Sequence, residues 1–198
     1  GCSKSDDNQE QTPINNCAAL TSFNVTQQTD ALSFTLTSTV PALYYEISFL
    51  IAQSNDMNPD YGQKIILNNL SETKLINDLS IAANYTYLFY ARAICTDGSK
   101  SNWSTAKSLL INDFCNSPKN LNFTYSTQGP EFYWDSNDDQ TSYYQVQYGP
   151  EGFTFGSGAT VSLNNDYFNG MPLVANTTYD FYVRSFCTST LGWSSWSG

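Results

Sequence analysis

Apolar and polar residues alternate along this chain in short runs, and no stretch holds a helical apolar period. Alternation over four to eight residues marks half-buried strands. The runs recur about every ten residues, the spacing of a β-sandwich. In the first half they predict strands at 20–26, 32–37, 44–51, 64–67, 73–78, 85–95 and 104–111. In the second half they predict 121–125, 131–134, 143–148, 160–163, 166–171, 178–187 and a last strand from 194 onward. Asp97-Gly98, Gly129-Pro130 and Gly149-Pro150 punctuate the runs as turns. The class is all-β.

The halves are copies of one unit. Ala83-Asn84-Tyr85-Thr86-Tyr87-Leu88-Phe89-Tyr90-Ala91-Arg92-Ala93-Ile94-Cys95 recurs as Ala175-Asn176-Thr177-Thr178-Tyr179-Asp180-Phe181-Tyr182-Val183-Arg184-Ser185-Phe186-Cys187. Tyr44-Tyr45-Glu46-Ile47-Ser48-Phe49 matches Tyr143-Tyr144-Gln145-Val146-Gln147-Tyr148, and each copy opens on a cysteine, Cys17 or Cys115. The boundary falls near Asn112-Asp113, which divides the chain into a leader, 1–16, and two domains, 17–112 and 113–198. Four cysteines allow three pairings. The repeat favours Cys17–Cys95 and Cys115–Cys187, because the others would tie two sandwiches together across a short linker. Each bridge closes a long loop, worth about 4 kcal/mol on the chain-entropy model. Zinc is the weaker reading of these cysteines, since the chain has no CxxC pair and no His.

Composition narrows the function. Aromatics reach 15% and charged residues only 13%, which suits pleated strands joined by polar turns. The net charge of −10, with 8 basic residues, has the wrong sign for a phosphate backbone or an anionic membrane surface. Nucleic acid is excluded as a partner on that ground. No apolar run approaches the roughly 18–20 residues of a membrane-spanning helix.

Over about 180 of its 198 residues the chain resembles the fibronectin type III family. Trp134 stands where that family keeps a core tryptophan on its second strand, with Leu36 as the counterpart in the first copy. Tyr87 and Tyr179 sit six residues after Ile81 and Leu173, the spacing of a tyrosine corner whose hydroxyl bonds back onto the preceding loop. Tyr-Ala-Arg and Tyr-Val-Arg look like the family's sixth strand. Tyr148-Gly149-Pro150-Glu151-Gly152-Phe153 resembles a variant common in bacterial surface proteins, while the first copy carries a longer connection at 53–61. The resemblance implies two tandem seven-stranded immunoglobulin-like sandwiches. In that topology the first strand starts at the pole where the sixth ends, which agrees with the favoured cysteine pairs.

Gly1-Cys2-Ser3-Lys4-Ser5-Asp6-Asp7 resembles the mature start of a bacterial lipoprotein, with Cys2 as the lipidated residue. Its Ser-Lys-Ser-Asp-Asp run is similar to the export signal of Bacteroidetes surface lipoproteins. That implies an outer-membrane anchor through the lipid, with polar residues 8–16 as a solvated tether.

Trp193-Ser194-Ser195-Trp196-Ser197 matches the Trp-Ser-x-Trp-Ser box of cytokine receptors, in which tryptophans stack on sixth-strand arginines. That resemblance implies a stack of Trp193 and Trp196 on Arg184, and a lesser one of Trp103 on Arg92; a receptor-like ectodomain is a third reading of the whole chain. The six Asn-x-Ser/Thr sequons, at Asn24, Asn69, Asn84, Asn102, Asn122 and Asn176, follow from a composition rich in Asn, Ser and Thr. Asp56, Asn58 and Asp60 have the oxygen spacing of a calcium loop, yet Gly62 and Leu67 stand in the wrong places, so no metal is expected. Asp135, Asp138 and Asp139 make a second acidic loop. Without His the chain lacks the usual general base, and no enzyme or cofactor is expected. The expectation is a non-catalytic surface lipoprotein, a protein-binding, adhesion or scaffolding subunit of an outer-membrane assembly, with glycan recognition as the alternative. Tyr61, Tyr167, Phe168 and Trp193 are the candidate contact residues. The second copy ends two residues after Trp196, so its last strand is expected to be cut short.

Overall fold

A computed structural model describes residues 17–53, 55, 57–136 and 140–198. The lipidation candidate Cys2, and with it the leader, lies outside them, as do Asp56, Asp138 and Asp139.

The first repeat folds as seven strands: β1 (Ser22–Gln28), β2 (Ala31–Thr37), β3 (Ala42–Ile51), β4 (Gln63–Leu67), β5 (Ser71–Leu75), β6 (Thr86–Cys95) and β7 (Lys107–Leu110). They form two antiparallel sheets, β1-β2-β5 and β4-β3-β6-β7. The second repeat supplies β8 (Lys119–Ser126), β9 (Gly129–Asp135), β10 (Tyr143–Pro150), β11 (Ala159–Leu163), β12 (Tyr167–Asn169) and β13 (Tyr179–Phe186). Its sheets are β8-β9-β12 and β11-β10-β13. Equivalent strands pair in the same order in both copies. The chain is therefore all-β, two tandem sandwiches.

Period-two burial builds each core. Phe34 and Leu36 of β2 meet Ile47 and Phe49 of β3 and Phe89 of β6 in one buried cluster. Phe132 and Trp134 of β9 meet Tyr144, Val146 and Val183 in another. Leu36 and Trp134 occupy the core of their respective copies. The tyrosine corners close as spaced: the Tyr87 hydroxyl accepts from the Ala82 N–H at 3.1 Å, and that of Tyr179 from the Val174 N–H at 3.0 Å. Disulfides join Cys17 to Cys95 and Cys115 to Cys187, both with Cα atoms 5.7 Å apart.

Four strand expectations need correction. The run 73–78 divides, because β5 stops at Leu75 and Ile76–Asp78 is a 3-10 turn. The run 166–171 shrinks to Tyr167–Asn169, ended by Gly170 at φ 71°, a conformation that costs glycine little. The seventh strand differs most. In the first copy it begins at Lys107, not at 104; in the second, residues 193–197 form no continuous strand and pair with β13 as isolated bridges at Phe186–Trp193 and Val183–Ser197. Serines cause this. Ser101 and Ser104 accept the Ala93 and Ala91 N–H groups on their hydroxyls, and Ser194 accepts that of Ser185; their own N–H groups still donate to the carbonyls of the same three residues, so half of each ladder pair runs to a side chain. Among the described residues the second sandwich thus has six strands, not the seven expected.

Candidate binding surfaces

The arginine of each sixth strand sits on the outer face of its sheet, directly opposite a long polar side chain on the third strand. Arg184 faces Gln145 and Arg92 faces Glu46. Arg184 donates from Nε and Nη2 to Gln145 Oε1 at 3.0 and 2.6 Å. Its guanidinium lies 4.1 Å from the Trp193 ring centroid and 4.5 Å from that of Trp196. Burial between the indoles pulls the guanidinium pKa below its ordinary value, while Tyr143 acts the other way. Trp193 also meets Tyr143 and Phe186 edge-on, and Trp196 meets Phe155. In the first copy Arg92 lies 4.1 Å from Trp103, and its Nε donates to Glu46 Oε2 at 2.7 Å. These rings brace the sheet. Trp193, expected as a contact residue, is occupied in that stack.

Asp60 connects the first stack to the 53–62 connection. Its Oδ1 accepts from Trp103 Nε1 at 2.9 Å and lies 3.5 Å from Arg92 Nη1. The Asn58 side chain accepts the Asp60 N–H, starting the 3-10 turn Pro59–Tyr61. Of the three calcium candidates, Asn58 and Asp60 thus serve the loop's own structure, and Asp56 lies outside the described residues. The loop is further pinned by Ser48 Oγ donating to Pro59 O at 2.5 Å and by the Tyr90 hydroxyl donating to Met57 O at 3.1 Å. A Cβ at Gly62 would sit 2.3 Å from Ser48 Oγ, so only glycine lets the loop lie this close. From this fixed backbone Tyr61 projects with 77% of its surface exposed.

The other two candidates differ from each other. Phe168 is half-buried against Tyr148 and covers the second core. Tyr167, 40% exposed, points from the opposite face of β12 and pairs in register with exposed Tyr133. Sequence reasoning missed Tyr133, and also Phe123 and Tyr125 of β8. The last two lie on the inner side of their sheet, since Phe123 is in register with buried Phe132. With Leu173, Tyr179 and Phe181 they line an apolar groove of about 340 Å³ at the end of β8 away from the linker. In the first sandwich Leu109 of β7, with Ile111 after it, packs into the corresponding core. Inward alternation reads as core in any strand; only the neighbouring strands reveal the exposure.

The likeness found among solved structures is to tandem fibronectin type III segments. One comprises the FN1–FN3 domains of chicken contactin: 13% identity, 91% of this chain and 64% of that one, TM-score 0.38. The present chain thus spans less than two thirds of that structure. Another is a two-domain segment of chicken tenascin: 15% identity, 90% and 96% coverage, TM-score 0.37. These scores carry no weight of their own, and the fold rests on the sheet order and register above. No protein-family model and no curated protein matches the chain.

His is missing from the sequence, and four of the five cysteines are bridged. Among the described residues no three His, Cys, Asp or Glu side chains converge as metal ligands. No helix among them is long and apolar enough to cross a membrane.

Proposed function

We propose that the chain is a non-catalytic binding or scaffolding module, tethered to the outer face of an outer membrane through a lipid on Cys2, that contacts a protein partner. The observation that supports this reading is Tyr61. A pinned loop holds a large aromatic ring out to solvent, so little side-chain and backbone entropy is lost when a partner covers it. Aromatic residues of this kind are enriched at protein interfaces. The pair Tyr133 and Tyr167 offers a second, flatter aromatic surface.

The test is quantitative affinity capture from native membranes with the full chain and its Tyr61→Ala variant. The reading expects one discrete partner protein that the variant loses while its thermal unfolding is unchanged. Equal recovery by both would remove Tyr61 from the account. Metabolic labelling with an alkyne fatty acid, abolished by Cys2→Ser, tests the anchor separately. Glycan recognition remains the second reading because Tyr133 and Tyr167 lie side by side with Glu131 and Asp166 close by; a flat glycan array would eliminate it.

A further inference from the structure

Asp30 occupies the tight turn between β1 and β2, where Thr29 takes a φ of 52°. Turn residues of this kind are ordinarily solvated, and an Asp is almost never fully buried without partners. Asp30 is only 1% exposed. Its side-chain partners come from the other sandwich. Oδ2 accepts from Ser117 Oγ and, at 3.0 Å, from the Ser195 N–H, while Oδ1 accepts from Ser195 Oγ at 2.5 Å. Three donors on one buried carboxylate offset a desolvation that would otherwise expel it.

Ser195 is the central residue of Trp193-Ser194-Ser195-Trp196-Ser197, between the two indoles stacked on Arg184. A side chain of the first sandwich thus grips the backbone of the second at its most braced point. Around this contact further hydrogen bonds and an ion pair cross the same seam. Asn77 Nδ2 donates to Ser117 O at 2.9 Å, Lys119 Nζ donates to Asn77 O, and Lys119 Nζ lies 3.4 Å from Asp78 Oδ1. The Asp30 carbonyl accepts the Ile76 N–H at 2.8 Å, which ties the 3-10 turn Ile76–Asp78 to the same residue. At the linker, Asn112 exchanges two hydrogen bonds with the Gln27 side chain, at 2.8 and 3.1 Å.

We propose that Asp30 is an inter-sandwich latch: it fixes the angle between the two domains, and Ser195 couples that angle to the tryptophan–arginine stack. Joined domains move relative to one another by default unless their interface is large and apolar. Here the seam is polar, and the buried carboxylate supplies the specificity that apolar area does not. Removing one partner leaves buried donors unmatched, so the seam should open and not merely weaken. The latch is independent of what the module binds.

The experiment is residual dipolar coupling on the isotope-labelled full chain. One alignment tensor should fit both sandwiches of the unaltered protein. In Asp30→Ala the tensors should diverge, with the degree of alignment of one sandwich reduced by about half or more as independent motion sets in. Ser195→Ala keeps the N–H donor and should give a smaller divergence, together with shifts of the Trp193 and Trp196 indole N–H resonances. If Asp30→Ala unfolds the first sandwich, the double variant Ser117→Ala/Ser195→Ala removes both hydroxyl donors from the other side and should also separate the tensors. A common tensor in every folded variant, or two tensors already in the unaltered chain, would overturn the latch.

Discussion

Replacing Arg184 by Ala should destabilise the second sandwich by about 2–3 kcal/mol. The guanidinium lies 4.1 and 4.5 Å from two ring centroids. At a half-buried site each such contact is worth about 1 kcal/mol. The two hydrogen bonds to Gln145 Oε1 involve a charged donor, and the pair contributes about 1.5 kcal/mol or more before desolvation is counted. The burial that lowers the Arg184 pKa opposes the charged form, which holds the net value below the plain sum. Arg184→Lys keeps the charge but loses the planar fork and the stacking, and should cost about 1–2 kcal/mol. In a domain of this size each kcal/mol lowers Tm by about 4–8 °C. Urea unfolding followed by tryptophan emission reads the effect, since Trp134, Trp193 and Trp196 report on the second sandwich and Trp103 on the first. A double-mutant cycle of Arg184→Ala with Trp193→Ala should return a coupling of about 1 kcal/mol. A loss below about 0.5 kcal/mol for Arg184→Ala, the range of unremarkable surface changes, would refute the bracing role.

Three further outcomes are expected. Converting Cys17 and Cys95 together to serine opens a loop of 78 residues and should cost the first sandwich about 2–5 kcal/mol, leaving the second transition in place. Tyr87→Phe removes the acceptor of the Ala82 N–H and should cost about 1 kcal/mol by chemical denaturation, with no change in m-value. The hydrogen bond from Lys74 does most to lower the Glu72 pKa; burial comes next and opposes it, and the Asn68 N–H, the Lys74 charge and the Asn69 N–H add to the lowering in that order. A lowered folded pKa means the contribution is present above the unfolded carboxylate value and is lost as pH falls through the folded one. Glu72→Gln should therefore flatten the acid limb of stability slightly, by less than about 1 kcal/mol for a part-buried surface pair, and carboxyl-detected NMR titration should place the Glu72 midpoint below that of an ordinary glutamate.

Much of the fold was legible because it is periodic and repeated. Alternation marked the strands, and two copies of the Tyr-x-Phe-Tyr-x-Arg run located both sixth strands and, with the cysteines, the favoured pairs. The tyrosine corners needed only a spacing. The stack on Arg184 was readable from a literal motif, but its seam to Asp30 was not: an Asp after a Thr in a turn looks solvated, and burial by another domain leaves no local trace. Tyr61 stood out as an aromatic in a polar connection. Phe123 and Tyr125 did not, since their alternation matches any core strand, and their exposure depends on which strands surround them. The start of the first copy's seventh strand was placed three residues early, because the Ser101 and Ser104 hydroxyls take backbone N–H groups of β6 without disturbing the hydrophobic pattern.

Contact with a protein through the pinned Tyr61 loop is the central functional claim, and photocrosslinking tests it at the residue itself. A photoreactive phenylalanine analogue is placed at position 61 of the full chain on intact cells, with a control at the exposed edge residue Lys107. The account predicts a single discrete protein adduct at 61 that is missing at 107. No adduct at 61, or the same adducts at both positions, would contradict it.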